Sequence, residues 1–461
     1  MTSDSPRTER HPVRIVHLGL GAFHRAHQAW YTQVANDAGD DAGDATGGAA
    51  GGAAADRNGW GIAAFTGRTP DAAVVLAAQD AVYTLIERGT GGDSARLIES
   101  ISVACDGGDE ERWRDAVADP AVAIVTLTIT EAGYRATGPA SAGVRLVDGL
   151  RARRDAGAAA IAVVSCDNLP ENGAVVRDLV RGLASSDPAL LDWIDANVSF
   201  VSTMVDRITP ATTPRDREIA LELTGFADAA PVVTEPFSEW VLSGAFPAGR
   251  PDWEVAGARF VDDIEPFERR KLWLLNAGHS CLAYLGLLRG RATIAEAMAD
   301  PVCRDALEEL WAEARPVLPF DEPELEAQLA ALRSRFANAR IEHRLVQIAQ
   351  DGSLKLPLRI LDVARARAGA GLPVGVAEAR TIAAWIIHLT TDQARDPGAA
   401  ALAASLDLRA AEASAHAALA LLEPGPSHVG PAFAAEVVRQ LVELLSTGRF
   451  TATTTQTQGV R

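Results

Sequence analysis

Over the first 260 or so positions, apolar residues fall in short unbroken runs. Such runs include VRIVHLG (13–19), WGIAAF (60–65), VAIVTLTIT (122–130), AIAVVSCDN (160–168) and NVSFVSTMVDRITP (197–210). Runs of this length, rich in Val and Ile and bounded by Gly, Asp or Asn, predict strands buried on both faces. VYTLIER (82–88) and ARLIESISVA (95–104) flank GTGGDS and predict an antiparallel pair. AFHRAHQAWYTQVAN (22–36) predicts a helix. Strands alternating with helices imply a parallel sheet covered on both sides. The stretch 37–59 is low-complexity Gly, Ala and Asp, and predicts a solvated loop.

After about residue 262 the period changes. EPFERRKLWLLNAGHSCLAYLGLL (265–288), DALEELWAEA (305–314), ELEAQLAALRSRFA (324–337), RIEHRLVQIAQ (340–350), RTIAAWIIHLT (380–390) and AAEVVRQLVELLSTG (434–448) all carry helical spacing. The expected architecture is α/β plus all-α: a doubly wound sheet over 1–262 and a helical domain over 263–461.

The formal charge of -18 in 461 residues argues against a nucleic-acid partner. No run of 18 apolar residues predicts a membrane span, and the polar N-terminus predicts no signal peptide. Cys105, Cys166, Cys281 and Cys303 form no zinc spacing and read as free thiols of a reducing, cytoplasmic compartment. No metal is expected, and the chain reads as a monomer or weak homo-oligomer.

GLGAFHRAH (19–27) directly follows the first strand. Gly19 and Gly21 match the first two glycines of a dinucleotide fingerprint, and His24 stands where the third would be. Gly19, Gly21, Ala22 and Phe23 are therefore the expected cofactor turn. At the end of the second strand, AAFTGRTPD offers Arg68 before any acid, which leaves NAD and NADP both open.

Of the 43 basic residues only two, Lys271 and Lys355, are lysines. Arginine supplies a charge equally well but does not lose a proton near neutral pH. Lys271 stands at the head of an apolar helix, where desolvation would make its amine a general base. Asn276 and His279 follow on the same helix, at a spacing that suits an extended multi-hydroxyl substrate. Asn168 ends a strand, where α/β folds place their ligand crevice. Two amides, Asn168 and Asn276, could then hold a developing alkoxide.

These segments together resemble the long-chain mannitol dehydrogenase family, which includes fructuronate (mannonate) and tagaturonate oxidoreductases. The resemblance rests on GLGAFHRAHQA, CDNLPENG, VSFVSTMVDRITP, EPFSEWV, KLWLLNAGHSCLAYLG and QIAQDGSLKLPLR. It implies an N-terminal Rossmann-type domain, a C-terminal helical domain and metal-independent hydride transfer with nicotinamide. Carried over by motif, Lys271 is the acid/base, Asn168 and Asn276 the oxyanion donors, and His279 a contact to the reacting hydroxyl. Asp206 and Lys355 would touch substrate.

Three positions depart from the family pattern. Asn338-Ala339 replaces an Asn-Pro, and Gln347 stands where mannitol-specific members carry arginine. The cofactor segment has no clear acid. With His343 and Arg344, the pattern is nearer fructuronate reductases, where Arg344, Lys355 or Arg359 could meet a carboxylate. The expected substrate is an open-chain sugar acid of the mannonate/fructuronate type. Alternatives are mannitol or arabinitol oxidation, a mannitol 1-phosphate 5-dehydrogenase, and a non-catalytic nucleotide-binding sensor.

Overall fold

The computed structural model describes residues 6–8, 10–45, 59–67, 69–129, 131–136, 138, 140–402, 405–425 and 429–447. Arg68 and most of the predicted loop, 46–58, lie outside the described residues. The chain divides into two compact units, Met1–Phe267 and Glu268–Arg461.

The first unit holds eleven described strands: β1 (Val13–Leu18), β2 (Gly61–Phe65), β3 (Tyr83–Gly89), β4 (Gly92–Ile98), β5 (Ile101–Cys105), β6 (Ile124–Leu127), β7 (Ile161–Ser165), β8 (Val198–Asp206), β9 (Val232–Thr234), β10 (Glu239–Ser243) and β11 (Arg259–Phe260). Eight form one sheet in the order β11-β10-β8-β7-β6-β1-β2-β5. The six strands from β5 to β8 run parallel, and β10 pairs antiparallel with β8. Strand order reverses between β1 and β6, the switch point of a doubly wound fold.

Alternation explains why these strands read as unbroken apolar runs. Ala162 and Val164 of β7 enter the core on one face, with Ile15 and Ile62, while Ile161 and Val163 enter the other, with Val16 and Val125. A sheet covered on both sides has no polar face to show.

Three local expectations change. The helix starting at Gln28 continues to Ala45, inside the stretch read as loop. Asp37 is held there by Gln33 Nε2, 2.7 Å away on the preceding turn, and by Arg96. The helix read over 22–36 breaks at His27 (φ -119°, ψ -88°). The run 95–104 splits in two: β4 pairs antiparallel with β3 in a separate three-stranded sheet, while β5 joins the edge of the large one. Polar residues at the split make the turn, since Glu99 N donates to Gln33 Oε1 (2.7 Å) and Ser100 Oγ to Ala29 O (2.7 Å).

The second unit is helical. Among its described residues the one strand-like feature is an isolated bridge between Thr293 and Arg344. Helices Ala277–Leu288, Pro301–Ala314, Glu322–Phe336, Val376–His388 and Gly430–Ser446 share a single core that includes Leu282, Trp311, Phe336, Trp385 and Val437. The helix expected over 340–350 shrinks to one turn, Leu345–Ile348. The backbone before it is extended instead, bonded through Ile294 N to His343 O (3.0 Å) and Leu345 N to Ala292 O (2.9 Å).

Candidate active site

The turn after β1 is wedged among three strand ends. Gly19 N and Leu20 N both donate to Phe65 O at 2.9 Å, and Thr128 Oγ1 donates to Gly19 O at 2.8 Å. Gly19 has φ +114°, and a Cβ there would lie 2.0 Å from Thr128 O. Only glycine satisfies both conditions. Gly21 is different: its backbone is extended, and the nearest atom to an added Cβ is Gly19 O at 3.5 Å. Its small size leaves backbone accessible rather than relieving strain. Ala22 and Phe23 follow in a half-buried first turn.

His24, in place of the third glycine, has its own solution to close packing. Its ring lies flat on His17, with centroids 3.4 Å apart and planes 9° apart. His17 bonds Thr126 Oγ1 (2.8 Å) and Thr128 Oγ1 (3.0 Å). Burial pushes the His17 pKa down to about 3, and that of His24 well below the ordinary value, so both imidazoles are neutral. A flat neutral pair brings helix and strand together where the fingerprint normally uses a missing side chain.

Beside this turn opens a cleft of about 480 Å³ lined by Leu20, Thr66, Gly67, Thr69 and Ala72. It sits at the carboxyl end of β2, where a ribose would bind. Among the described residues no carboxylate lines it. Thr66 and Thr69 are hydroxyl candidates that sequence reading missed, because the search there was for a charge.

Further polar residues stand at the ends of β7 and β8. Asn168 is exposed just past β7. Its neighbour Asp167 is buried and accepts from Ile129 N (2.6 Å), from Tyr134 Oη and from Ser165 Oγ (3.3 Å). Burial raises the Asp167 pKa to about 7 against the opposing pull of these donors. Asn172 Nδ2 ties Asp167 O to Thr203 O, fastening the loop that carries Asn168 to β8. Asp206 is buried at the end of β8, in register with Glu239. Arg207 turns to Glu87 (2.5 Å), Ala26 O (2.6 Å) and Glu235 O (3.2 Å).

In the second unit the helix carrying the lysine has an unexpected geometry. Lys271–Asn276 is a π-turn, continuous with the α-helix Ala277–Leu288. In a regular α-helix, five residues rotate about 500°, so Lys271 and Asn276 would sit about 140° apart around the axis. The i→i+5 bonding of a π-turn widens the helix and stacks those two positions. Asn276 and His279 are then three apart on ordinary helix and share a face. The spacing K-x(4)-N-x(2)-H becomes one row of side chains only through this turn.

Two side chains support the turn. Trp311 Nε1 donates to Leu274 O (2.9 Å), and Arg359 Nη1 donates to Asn276 O (3.3 Å) and Ser280 Oγ (3.1 Å). Arg359 itself lies on a second π-turn, Pro357–Leu361.

Lys271 is half-buried at the start of the first turn, while Asn276 and His279 are buried. His279 packs against Phe336 (4.6 Å between ring centroids) and edge-on to His343 (4.8 Å). Burial, with repulsion from His343, Arg335 and Arg359, holds the His279 pKa well below its ordinary value. Its Nε2 is enclosed without a hydrogen-bond partner. Lys355, on helix Gly352–Leu356, donates to Gln350 O (2.6 Å). The second unit therefore gathers Asn276, His279, His343 and Arg359. Arg344 is exposed and paired with Glu342 at 2.7 Å.

A doubly wound sheet with a glycine turn at its switch point is the architecture of a dinucleotide-binding fold, and the helical unit carries a Lys-Asn-His row. Residues 13–255 match the mannitol dehydrogenase Rossmann domain, and 263–423 match the mannitol dehydrogenase C-terminal domain. The chain belongs to the mannitol dehydrogenase family. It is similar to the D-mannonate oxidoreductase of Escherichia coli K12, 40% identical over 386 residues that cover 76% of this chain and 75% of that protein. It is also similar to the mannitol 2-dehydrogenase of Cereibacter sphaeroides, 36% identical over 78% of each chain. Among solved structures it matches a ternary complex of Pseudomonas fluorescens mannitol 2-dehydrogenase with NAD and D-mannitol. That match has a TM-score of 0.76 and 33% identity, covering 95% of this chain and 93% of that one.

Proposed function

We propose that this protein is an NAD-dependent oxidoreductase that interconverts a secondary alcohol and a ketone on an open-chain sugar acid of the mannonate/fructuronate type. The observation that carries the reading is the row Lys271, Asn276 and His279, set on one helix face by a π-turn. The similarity to a D-mannonate oxidoreductase supports the acid, and the similarity to an NAD complex of a mannitol dehydrogenase supports the cofactor.

The turn Gly19–Phe23 and the cleft lined by Thr66 and Thr69 fit a dinucleotide, since backbone at Gly21 is unobstructed and two hydroxyl-bearing residues line the cleft at the end of β2. Bound nicotinamide would accept the hydride from the carbinol carbon. Lys271 would take the hydroxyl proton as that carbon becomes a carbonyl, and return it in the reverse direction. The amides of Asn276 and Asn168 would donate to the oxygen while it carries negative charge. His279, kept neutral by burial, would hydrogen-bond the reacting hydroxyl or its neighbour without repelling the lysine. Asp206 and Lys355 would bind hydroxyls further along the chain. Base and oxyanion donors are all side chains, so the proton chemistry needs no Lewis acid.

A cytoplasmic setting fits the four buried free cysteines. Among the described residues no helix is long and apolar enough to cross a membrane.

The deciding experiment is a reduction panel with fructuronate, tagaturonate, fructose and fructose 6-phosphate, each with NADH and NADPH. Fructuronate with NADH should give the highest kcat/KM. Turnover of fructose without fructuronate would replace the sugar acid by a polyol.

A further inference from the structure

A substrate carboxylate needs a cation that has no carboxylate of its own. Several arginines of the second unit already have a carboxylate partner. Arg333 pairs with Glu308 and Glu326, Arg344 with Glu342, and Arg365 with Asp362 and Glu423. Arg359 differs from these. Its hydrogen bonds among the described residues run from Nη1 alone, to the Asn276 carbonyl and the Ser280 hydroxyl, both neutral acceptors. Burial without a counter-ion lowers its pKa to about 10.

The geometry of the fork matters here. Nη1 lies on the side of the guanidinium facing its own stem, so fixing it leaves the Nε–Nη2 edge as a pair of parallel donors. That edge matches the two oxygens of a carboxylate. Neither Nε nor Nη2 is among the enclosed, unpartnered buried atoms, so the edge is not fully enclosed. The same two bonds that support the π-turn at Asn276 also fix the orientation of this edge. Lys355 stands four residues earlier, and His279 feels Arg359 as a like charge. The surroundings therefore favour an incoming anion.

We propose that Arg359 is the specificity-determining residue that binds the substrate's carboxylate, bidentate through Nε and Nη2. The proposal rests on the sugar-acid reading above. It separates aldonates and uronates from uncharged polyols and ketoses of the same length.

The test compares fructuronate with fructose, with NADH, for wild type, Arg359→Gln and Arg359→Lys. A charge-assisted bidentate contact is worth a fall of roughly 10²-fold in the fructuronate-to-fructose ratio of kcat/KM for Arg359→Gln, mostly through KM. Arg359→Lys should recover only part of it, because an ammonium cannot present two parallel donors. Equal losses on both substrates in the lysine variant would assign Arg359 to support of the π-turn alone and overturn the proposal. The lysine variant, with circular dichroism and NADH binding as folding controls, gives that answer even if the glutamine variant does not fold. Wild type that reduces fructose and not fructuronate would instead overturn the sugar-acid reading, and this proposal with it.

Discussion

Replacing Gly19 by alanine tests the switch point at a single atom. The added Cβ would lie 2.0 Å from the backbone oxygen of Thr128, against 3.4 Å or more for ordinary contact. The obstacle is main chain at the end of β6, so no rotamer change relieves it. Either the turn or the strand end must retreat by more than ~1 Å, which would strain the bond from Thr128 Oγ1 to Gly19 O. The backbone at φ +114° adds about 1–3 kcal/mol for a residue with a side chain. Losing one neutral hydrogen bond adds about 0.5–1.5 kcal/mol. The combined destabilisation is on the order of 2–4 kcal/mol. Urea denaturation followed by tryptophan fluorescence measures it, and NADH titration measures the effect on the turn that would hold the dinucleotide. We expect a lowered urea midpoint and NADH affinity reduced by at least ~10-fold, since displacement of the turn moves the backbone donors themselves. An alanine variant with wild-type midpoint and wild-type NADH affinity would refute the argument.

Other outcomes follow from the same geometry. Lys271→Ala should lower kcat by roughly 10²–10⁴-fold and leave NADH affinity nearly unchanged; near wild-type turnover would remove the acid/base assignment. Trp311→Phe takes away the donor to Leu274 O and should destabilise the protein by about 1–3 kcal/mol while reducing kcat more than it changes NADH binding; an unaltered melting curve and rate would show that the π-turn does not depend on this bond. Asp167 has a folded pKa raised by burial to about 7, so the folded state holds its proton more tightly than the unfolded chain does. Its contribution to stability is complete below about pH 4 and is lost as pH rises to about 7, a change on the order of 4 kcal/mol. Asp167→Asn should flatten that part of the urea-midpoint profile between pH 4 and 8, and an unchanged slope would contradict the burial argument.

The strands of the doubly wound core were readable because burial on both faces writes itself as unbroken Val/Ile runs, as in IAVVS of β7. The split between β4 and β5 was not, since only Gln33 and Ala29 of a distant helix reveal why the chain turns at Glu99-Ser100. RIEHRLVQIAQ was misread as one helix because helical spacing cannot show that His343 and Leu345 exchange backbone bonds with 292–294. In the candidate site, Lys271 stood out by residue type alone, one of two lysines among many arginines, with Asn276 and His279 following it along the chain. Their common face did not, because a 3.6-residue period hides a π-turn. Thr66 and Thr69 carry hydroxyls without charge, and nothing along the chain sets them apart from other threonines. Arg359 was one of three cations of equal standing in the sequence. Ion pairing separates it from Arg344, which Glu342 occupies.

The widened turn at Lys271–Asn276 is equivalent to one extra residue fitted into an otherwise ordinary helix. Deleting a single residue inside that segment would let the backbone close into tighter, more regular bonding while swinging the amine away from the amide and imidazole beyond it. Here the better helix would be the poorer enzyme, and the count of residues between two side chains is itself part of the chemistry.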